Sequence, residues 1–289
     1  MTTSPHTADT GLPVLPVAVW PSLVVCLSAV ALFVVESRPL GYALLAAGLI
    51  FAWALEASNK VNGGPIGSDK PSLLRDLSLI AAGLVCASSI PLAAKLDDLS
   101  MLLFTLALGG AVAVPYVVSR FLYRDRAIAF PWSGGGRWSA WQWAWLAAVI
   151  VLGWLILPFY FITSGAYMNW PVVDDANLIA RLFVGVGAVG IWDELFFICT
   201  VFVLLRRHMA FITANVLQAT VFVSFLWELG YREWAPVFTI PFALLQAIIF
   251  IKTKSLAYVV TVHLLFDAVV FLVLVHAHNP GSLDAIFLV

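Results

Sequence analysis

The chain has 289 residues, of which 62% are hydrophobic and only 11% charged, with a formal net charge of −1 and a mean hydropathy of +1.00. Soluble domains carry about a quarter charged residues, so this surface is built for lipid, and 15 basic side chains spread along the whole chain leave no basic face for nucleic acid. Cys26, Cys86 and Cys199 each lie inside an apolar run, which gives neither a disulfide framework nor a thiolate zinc site.

Residues 1–16 contain His6 and Asp9 but no Lys or Arg, so they read as a short disordered tail rather than a cleaved signal. The last residues lack the cysteine of a prenylation box, and anchoring falls to spanning helices alone. A spanning helix needs about 20 apolar residues. Nine runs bounded by charge, Gly or Pro meet that need, at roughly 17–35, 39–56, 76–95, 99–119, 139–163, 178–205, 211–230, 236–252 and 255–277. The fold class is therefore all-α, a polytopic membrane protein of about nine transmembrane helices.

Nine spans put the termini on opposite sides, and the basic residues agree. One side collects Lys60, Lys70, Arg75, Arg120, Arg124, Arg126, Arg137, Arg206, Arg207, Lys252 and Lys254, which is 11 of the 15. The other side holds Arg38, Lys95, Arg181 and Arg232 beside Glu36, Asp97, Asp98, Asp174, Asp175, Glu233 and Asp284. By the positive-inside bias the N-terminus is cytoplasmic and the C-terminus outside. Compact loops suit the inner membrane of a bacterium. The stretch Phe130–Trp138, followed by Trp141, Trp143 and Trp145, reads as an interfacial aromatic anchor. Gly185, Gly187 and Gly190 thin the sixth span for close approach of a neighbour.

Five polar residues fall within the apolar runs of the last four spans: Asp193, Glu194, Glu228, His263 and Asp267. Each charge at the centre of a spanning helix costs about 2.5–3.5 kcal/mol on insertion scales, so the group must find partners or water. His263 and Asp267 stand four apart and share a helix face, with Asp267 placed to orient the imidazole. Asp193 and Glu194 are adjacent and point about 100° apart, so one of them aims at a common centre and the other braces backbone or a neighbouring helix. Glu228 stands near the outer end of its span, where pairing with Arg232 at i+4 is its plainest explanation.

The order and spacing of these residues resemble the CPBP intramembrane proteases, which include CAAX-processing endoproteases and Abi-type bacteriocin-immunity proteins. That family shows Glu-Glu-x-x-x-Arg on one helix, Phe-x-x-x-His on the next and His-x-x-x-Asn or His-x-x-x-Asp on the last. Asp193-Glu194 resembles the first motif with Ile198 at the arginine's place, Ser224 and Glu228 align with the second, and His263 to Asp267 matches the third. The resemblance divides the chain into a tail (1–16), N-terminal transmembrane helices (17–125), a CPBP-like membrane core (126–277) whose last four helices form the C-terminal four-helix unit, and a C-terminal tail (278–289).

The family resemblance implies a glutamate-dependent intramembrane endopeptidase, with Glu194 activating water, His263 donating to it or to the oxyanion, and Asp267 holding His263. Its partners would be membrane lipids and a membrane-associated or lipidated peptide, or a membrane-protein partner. A metal-dependent version would use Glu194, Glu228 and His263 as ligands of a divalent ion such as zinc. At about 1.5 Å per residue, however, Glu228 lies about 17 residues from the inner end of its span and His263 about 8, a mismatch of roughly 13 Å. Two other functions remain open at this point. One is an inactive family member serving as scaffold, immunity factor or complex subunit. The other is a transporter, against which all five buried polar residues fall in the last four spans.

Overall fold

The computed structural model describes residues 16–61, 71–134 and 136–287, so the expected tail at 1–16 lies almost entirely outside it. Among the described residues nine long helices run in chain order: α1 (Val19–Val34), α2 (Arg38–Val61), α3 (Leu73–Ala87), α4 (Asp98–Leu122), α5 (Ala140–Thr163), α6 (Ala176–Arg206), α7 (Phe211–Leu229), α8 (Pro236–Thr253) and α9 (Leu256–His278). There is no strand among the described residues. Seven helices, α2 and α4 to α9, are long and apolar enough to cross a membrane. The chain is an integral membrane protein.

The boundaries follow local chemistry. Asp97 caps α4 by accepting from Ser100 N, Asp175 caps α6 by accepting from Asn177 N and Leu178 N, and Ser255 caps α9 by accepting from Tyr258 N. Glu56 near the end of α2 accepts from Ser72 Oγ at 2.9 Å and Leu74 N at 3.0 Å, so this acid secures the start of α3. The third expected span, 76–95, stops early. Ser88 and Ser89 turn their hydroxyls onto the carbonyls of Leu84 and Cys86 at 2.7 Å each, and Pro91 follows. At about 1.5 Å per residue the 15 residues of α3 reach about 22 Å, short of a hydrocarbon core of about 30 Å.

α6 is the central helix. It packs against α4, α7, α8 and α9, while α5 covers α9 and α1 lies between α2 and α7. Of its most apolar stretch 72% is buried inside the protein, against 22% for α2, whose faces are left to lipid. The basic turn after α6 is tied to α3. Buried Asp76 accepts from Arg207 at 2.9 Å and bonds His208 Nε2 at 2.7 Å, and Arg207 also reaches Asp125 at 2.7 Å.

The aromatic segment before α5 does more than mark an interface. Pro131 O accepts from Leu256 N at 2.9 Å, and Trp138 packs edge-on against Tyr258. A Cβ on Gly134 would overlap the carbonyl of Lys254, so only glycine lets this loop dock on the α8–α9 turn.

Candidate active site

The site starts on α6, where the backbone loosens. From Glu194 to Phe202 the helix takes the wider π form, a geometry that tends to mark functional sites. Trp192 just before it stacks on Phe196 with ring centroids 5.1 Å apart and donates Nε1–H to Leu108 O on α4 at 2.6 Å. These contacts fix the rotation of α6 and so the aim of Asp193 and Glu194.

His263 on α9 sits between the two acids. Its Nδ1 lies 2.7 Å from Glu194 Oε1, and its Nε2 lies 3.4 Å from Asp193 Oδ2 and 3.9 Å from Asp267 Oδ1. The two adjacent acids stand at opposite edges of the imidazole, Glu194 within hydrogen-bond distance of Nδ1 and Asp193 farther off Nε2. Phe242 and Phe222 wall the ring, at 5.0 and 6.1 Å between centroids. All four polar residues are buried, Asp193 and Glu194 at 1% exposure, His263 at 4% and Asp267 at 7%.

Gly190, one turn before Asp193, explains how Asp267 fits. A Cβ there would stand 2.0 Å from Asp267 Oδ2 and 3.3 Å from His263 Cδ2. Of the three glycines expected to admit a neighbour, Gly190 does so tightly and Gly187 only loosely, its Cβ position 3.9 Å from Leu264, while Gly185 faces open space.

Asp193, His263 and Asp267 line one side of a cavity of about 300 Å³ whose remaining wall is mostly apolar, including Phe222, Leu226, Tyr231 and Phe242. Its rim carries Thr105 and Gly109 of α4 and Val184 and Ala188 of α6, all exposed on the helix flanks, so the cavity opens sideways between these helices. Glu194 lies behind this wall. Its Oε1 accepts from both His263 and Gln246 Nε2, the latter at 2.6 Å.

Glu228 is not brought to the cluster. Half-buried at the end of α7, it accepts from Leu92 N at 3.1 Å. Nor does it pair with Arg232, which instead meets Glu36 at 3.0 Å, because α7 ends at Leu229 and Gly230 turns the chain away. The zinc set of Glu194, Glu228 and His263 is therefore not assembled, and among the described residues no three His, Cys, Asp or Glu side chains are placed to hold one metal ion. The α7 residues that do face the cavity are Phe222 and Leu226. They have the Phe-x-x-x-His spacing with leucine at the histidine's place, a better register than the one running through Ser224 and Glu228.

Residues 175–269 match the family model of type II CAAX prenyl endopeptidase Rce1-like proteins. This segment is similar to the CAAX-protease family. The matched segment runs from the cap of α6 past Asp267 and contains every residue of the cluster, as the sequence motifs led one to expect. No curated protein and no solved structure matches the chain.

Two contributors escaped the sequence reading. Gln246 is a lone amide in the apolar run of α8, and that isolation was the available signal. Tyr231 lies just beyond α7 and at 5% exposure lines the cavity beside the acids. Its position is held from both sides, since Asn169 Nδ2 donates to Gly230 O at 3.0 Å and Tyr160 OH to Arg232 O at 2.7 Å. Burial, followed by the charges of Asp267, Tyr160 and Asp193, pushes its phenol well above the ordinary range, so it keeps its proton.

Proposed function

We propose that the protein is an intramembrane endopeptidase acting on a membrane-borne peptide, with Asp193 rather than Glu194 as the base that activates water. The observation carrying this reading is the placement of Asp193, His263 and Asp267 together on the wall of a laterally open apolar cavity, while Glu194 is spent on His263 and Gln246. Glu194 Oε1 bonds Nδ1 of His263, which leaves Nε2 facing Asp193 and Asp267. The separations of 3.4 and 3.9 Å from Nε2 to Asp193 and Asp267 suit a shared water better than direct bonds.

In the reaction, that water adds to the peptide carbonyl carbon as Asp193 takes its proton, giving a tetrahedral oxyanion. Tyr231, a neutral donor on the same cavity, supplies a hydrogen bond to the oxyanion. The proton then passes from Asp193 to the departing amine, the C–N bond breaks, and a carboxylic acid and an amine leave. The apolar wall suits a peptide carrying a lipid or prenyl group that enters from the bilayer between α4 and α6. The donor set does not fit zinc, and no step runs through a metal.

A second reading is favoured by Leu226 and Ile198, which stand where the family motifs carry histidine and arginine: a non-cleaving relative that binds such peptides as scaffold, immunity factor or subunit. Incubation of the nanodisc protein with a fluorogenic prenylated peptide decides between them. Cleavage lost in Asp193→Asn with unchanged thermal unfolding supports the peptidase. Binding without cleavage in the wild type supports the second reading and refutes the first.

A further inference from the structure

Behind the acids lies a second, much smaller space that the proposed chemistry does not use. It has a volume of about 10 Å³ and is lined by Asp193, Glu194, Gln218 and Gln246 together with Phe197, Ile198, Phe222 and Ala243. That is room for one species of about the size of a water molecule. Each of the four polar residues contributes a buried oxygen with no hydrogen-bond partner among the described residues: Asp193 Oδ1, Glu194 Oε2, Gln218 Oε1 and Gln246 Oε1.

The amide orientations are fixed by what their nitrogens do. Gln218 Nε2 donates to Asn215 Oδ1 and to Ala243 O, both at 2.9 Å, and Gln246 Nε2 donates to Glu194 Oε1 at 2.6 Å. Turning either amide over would set oxygen against oxygen, so both carbonyls are left facing away from these acceptors. Gln218 and Gln246 are 1% and 2% exposed. A buried polar atom without a partner costs about 1–3 kcal/mol, and four around one space call for an occupant.

The occupant must satisfy four acceptors. A water molecule donates two hydrogen bonds and leaves two oxygens bare. One proton on a carboxyl, donated to a neighbouring carbonyl, likewise satisfies two of the four. From the unpartnered oxygens and the size of the space, we infer that Asp193, Glu194, Gln218 and Gln246 form a binding site for a monovalent cation of sodium's size. Oxygen-only ligands select hard cations. Four oxygens fall short of the six to eight that calcium takes, and magnesium keeps several waters that this space has no room for.

The site shares Asp193 with the cavity yet stands independently of the peptidase reading. It would hold Asp193 and Glu194 against α7 and α8 and lower the repulsion between the acids that flank His263. Ile198 lines the same space, where the family motif carries an arginine. The cation would supply the positive charge that this chain's motif lacks.

The test measures thermal unfolding of the full chain in nanodiscs by tryptophan fluorescence, in sodium, potassium, calcium or choline chloride at equal ionic strength, beside saturable binding of radioactive sodium. Above its Kd, each tenfold rise in sodium should raise the folded-to-unfolded ratio about tenfold, with choline inert and calcium no better than sodium. Gln218→Leu and Gln246→Met should abolish both the sodium dependence and the binding. Should either variant fail to fold, isotope binding to the wild type still decides. Equal stability in sodium and choline with no saturable binding would overturn the inference and leave the space to water. Neither readout involves cleavage, so an inactive protein that binds sodium refutes only the peptidase, and an active one that does not refutes only the cation site.

Discussion

Gly190→Ala tests the packing of the site without needing an assay for activity. The new Cβ would stand 2.0 Å from Asp267 Oδ2 where ordinary contact begins at 3.4 Å, so the carboxylate or the helix must move by about 1.4 Å (3.4 − 2.0). Overpacking of this kind costs about 1–3 kcal/mol. Against it, alanine favours the helix by about 1 kcal/mol over glycine. In the wild-type background the substitution should therefore be neutral to destabilising by about 2 kcal/mol. In an Asp267→Ala background the obstructing oxygen is gone. The remaining neighbour, His263 Cδ2 at 3.3 Å, gives by a few tenths of an ångström, and the same substitution should stabilise by up to about 1 kcal/mol. Unfolding of the four proteins in mixed micelles, followed by tryptophan fluorescence, closes the cycle with a coupling of about 1–3 kcal/mol. A coupling below about 0.5 kcal/mol would refute the claim that Gly190 exists to admit Asp267.

If the peptidase reading holds, Asp193→Asn should lower kcat by about 10²–10⁴-fold, and a rate within threefold of wild type would remove Asp193 as the base. Tyr231→Phe should cost about 10²–10³ in kcat with KM little changed, the signature of a donor used only in the transition state. The same variant has a pH signature. With the folded phenol raised above its ordinary value of about 10, the stability it contributes is present below pH 10 and lost as pH rises towards the folded value. Wild type should therefore lose more stability than Tyr231→Phe above pH 10, and parallel curves would count against it. Asp76→Ala strips a buried acid from Arg207, whose side chain is 23% exposed, so the usual 3–5 kcal/mol for breaking a buried pair shrinks to about 2 kcal/mol. An unchanged midpoint in denaturant titration would show that this tie between α3 and the α6–α7 turn is idle.

The helices were legible because lipid imposes length and apolarity on every span. Two came out shorter than a span, α1 and α3, and in α3 two serine hydroxyls and Pro91 stop the helix before the hydropathy runs out. Asp193, Glu194, His263 and Asp267 were legible for the same reason, since each breaks an apolar run at a cost that demands partners. What the motifs could not convey was the division of labour. Glu194 matches the family residue, while the side chain that lines the larger cavity is Asp193; on that ground Asp193 is proposed as the base. Glu228 was drawn into the site by a register two residues from the one through Phe222 and Leu226, and its roughly 13 Å depth mismatch at about 1.5 Å per residue already argued against it. Gln218, Gln246 and Tyr231 carry no charge and so raised no alarm, although buried amides have the same need for partners.

The burial of α6 has a consequence for how the chain is made. A helix with two adjacent carboxylates near its middle has no stable place alone in hydrocarbon, at about 2.5–3.5 kcal/mol for each charge. The groups that approach these acids, Gln246 and His263, both lie later in the chain. During synthesis α6 must therefore wait, shielded by the insertion machinery or by α4, until α7, α8 and α9 arrive. Assembly of the core becomes a single late event, and a ribosome stalled before α9 should leave behind a fragment marked for degradation.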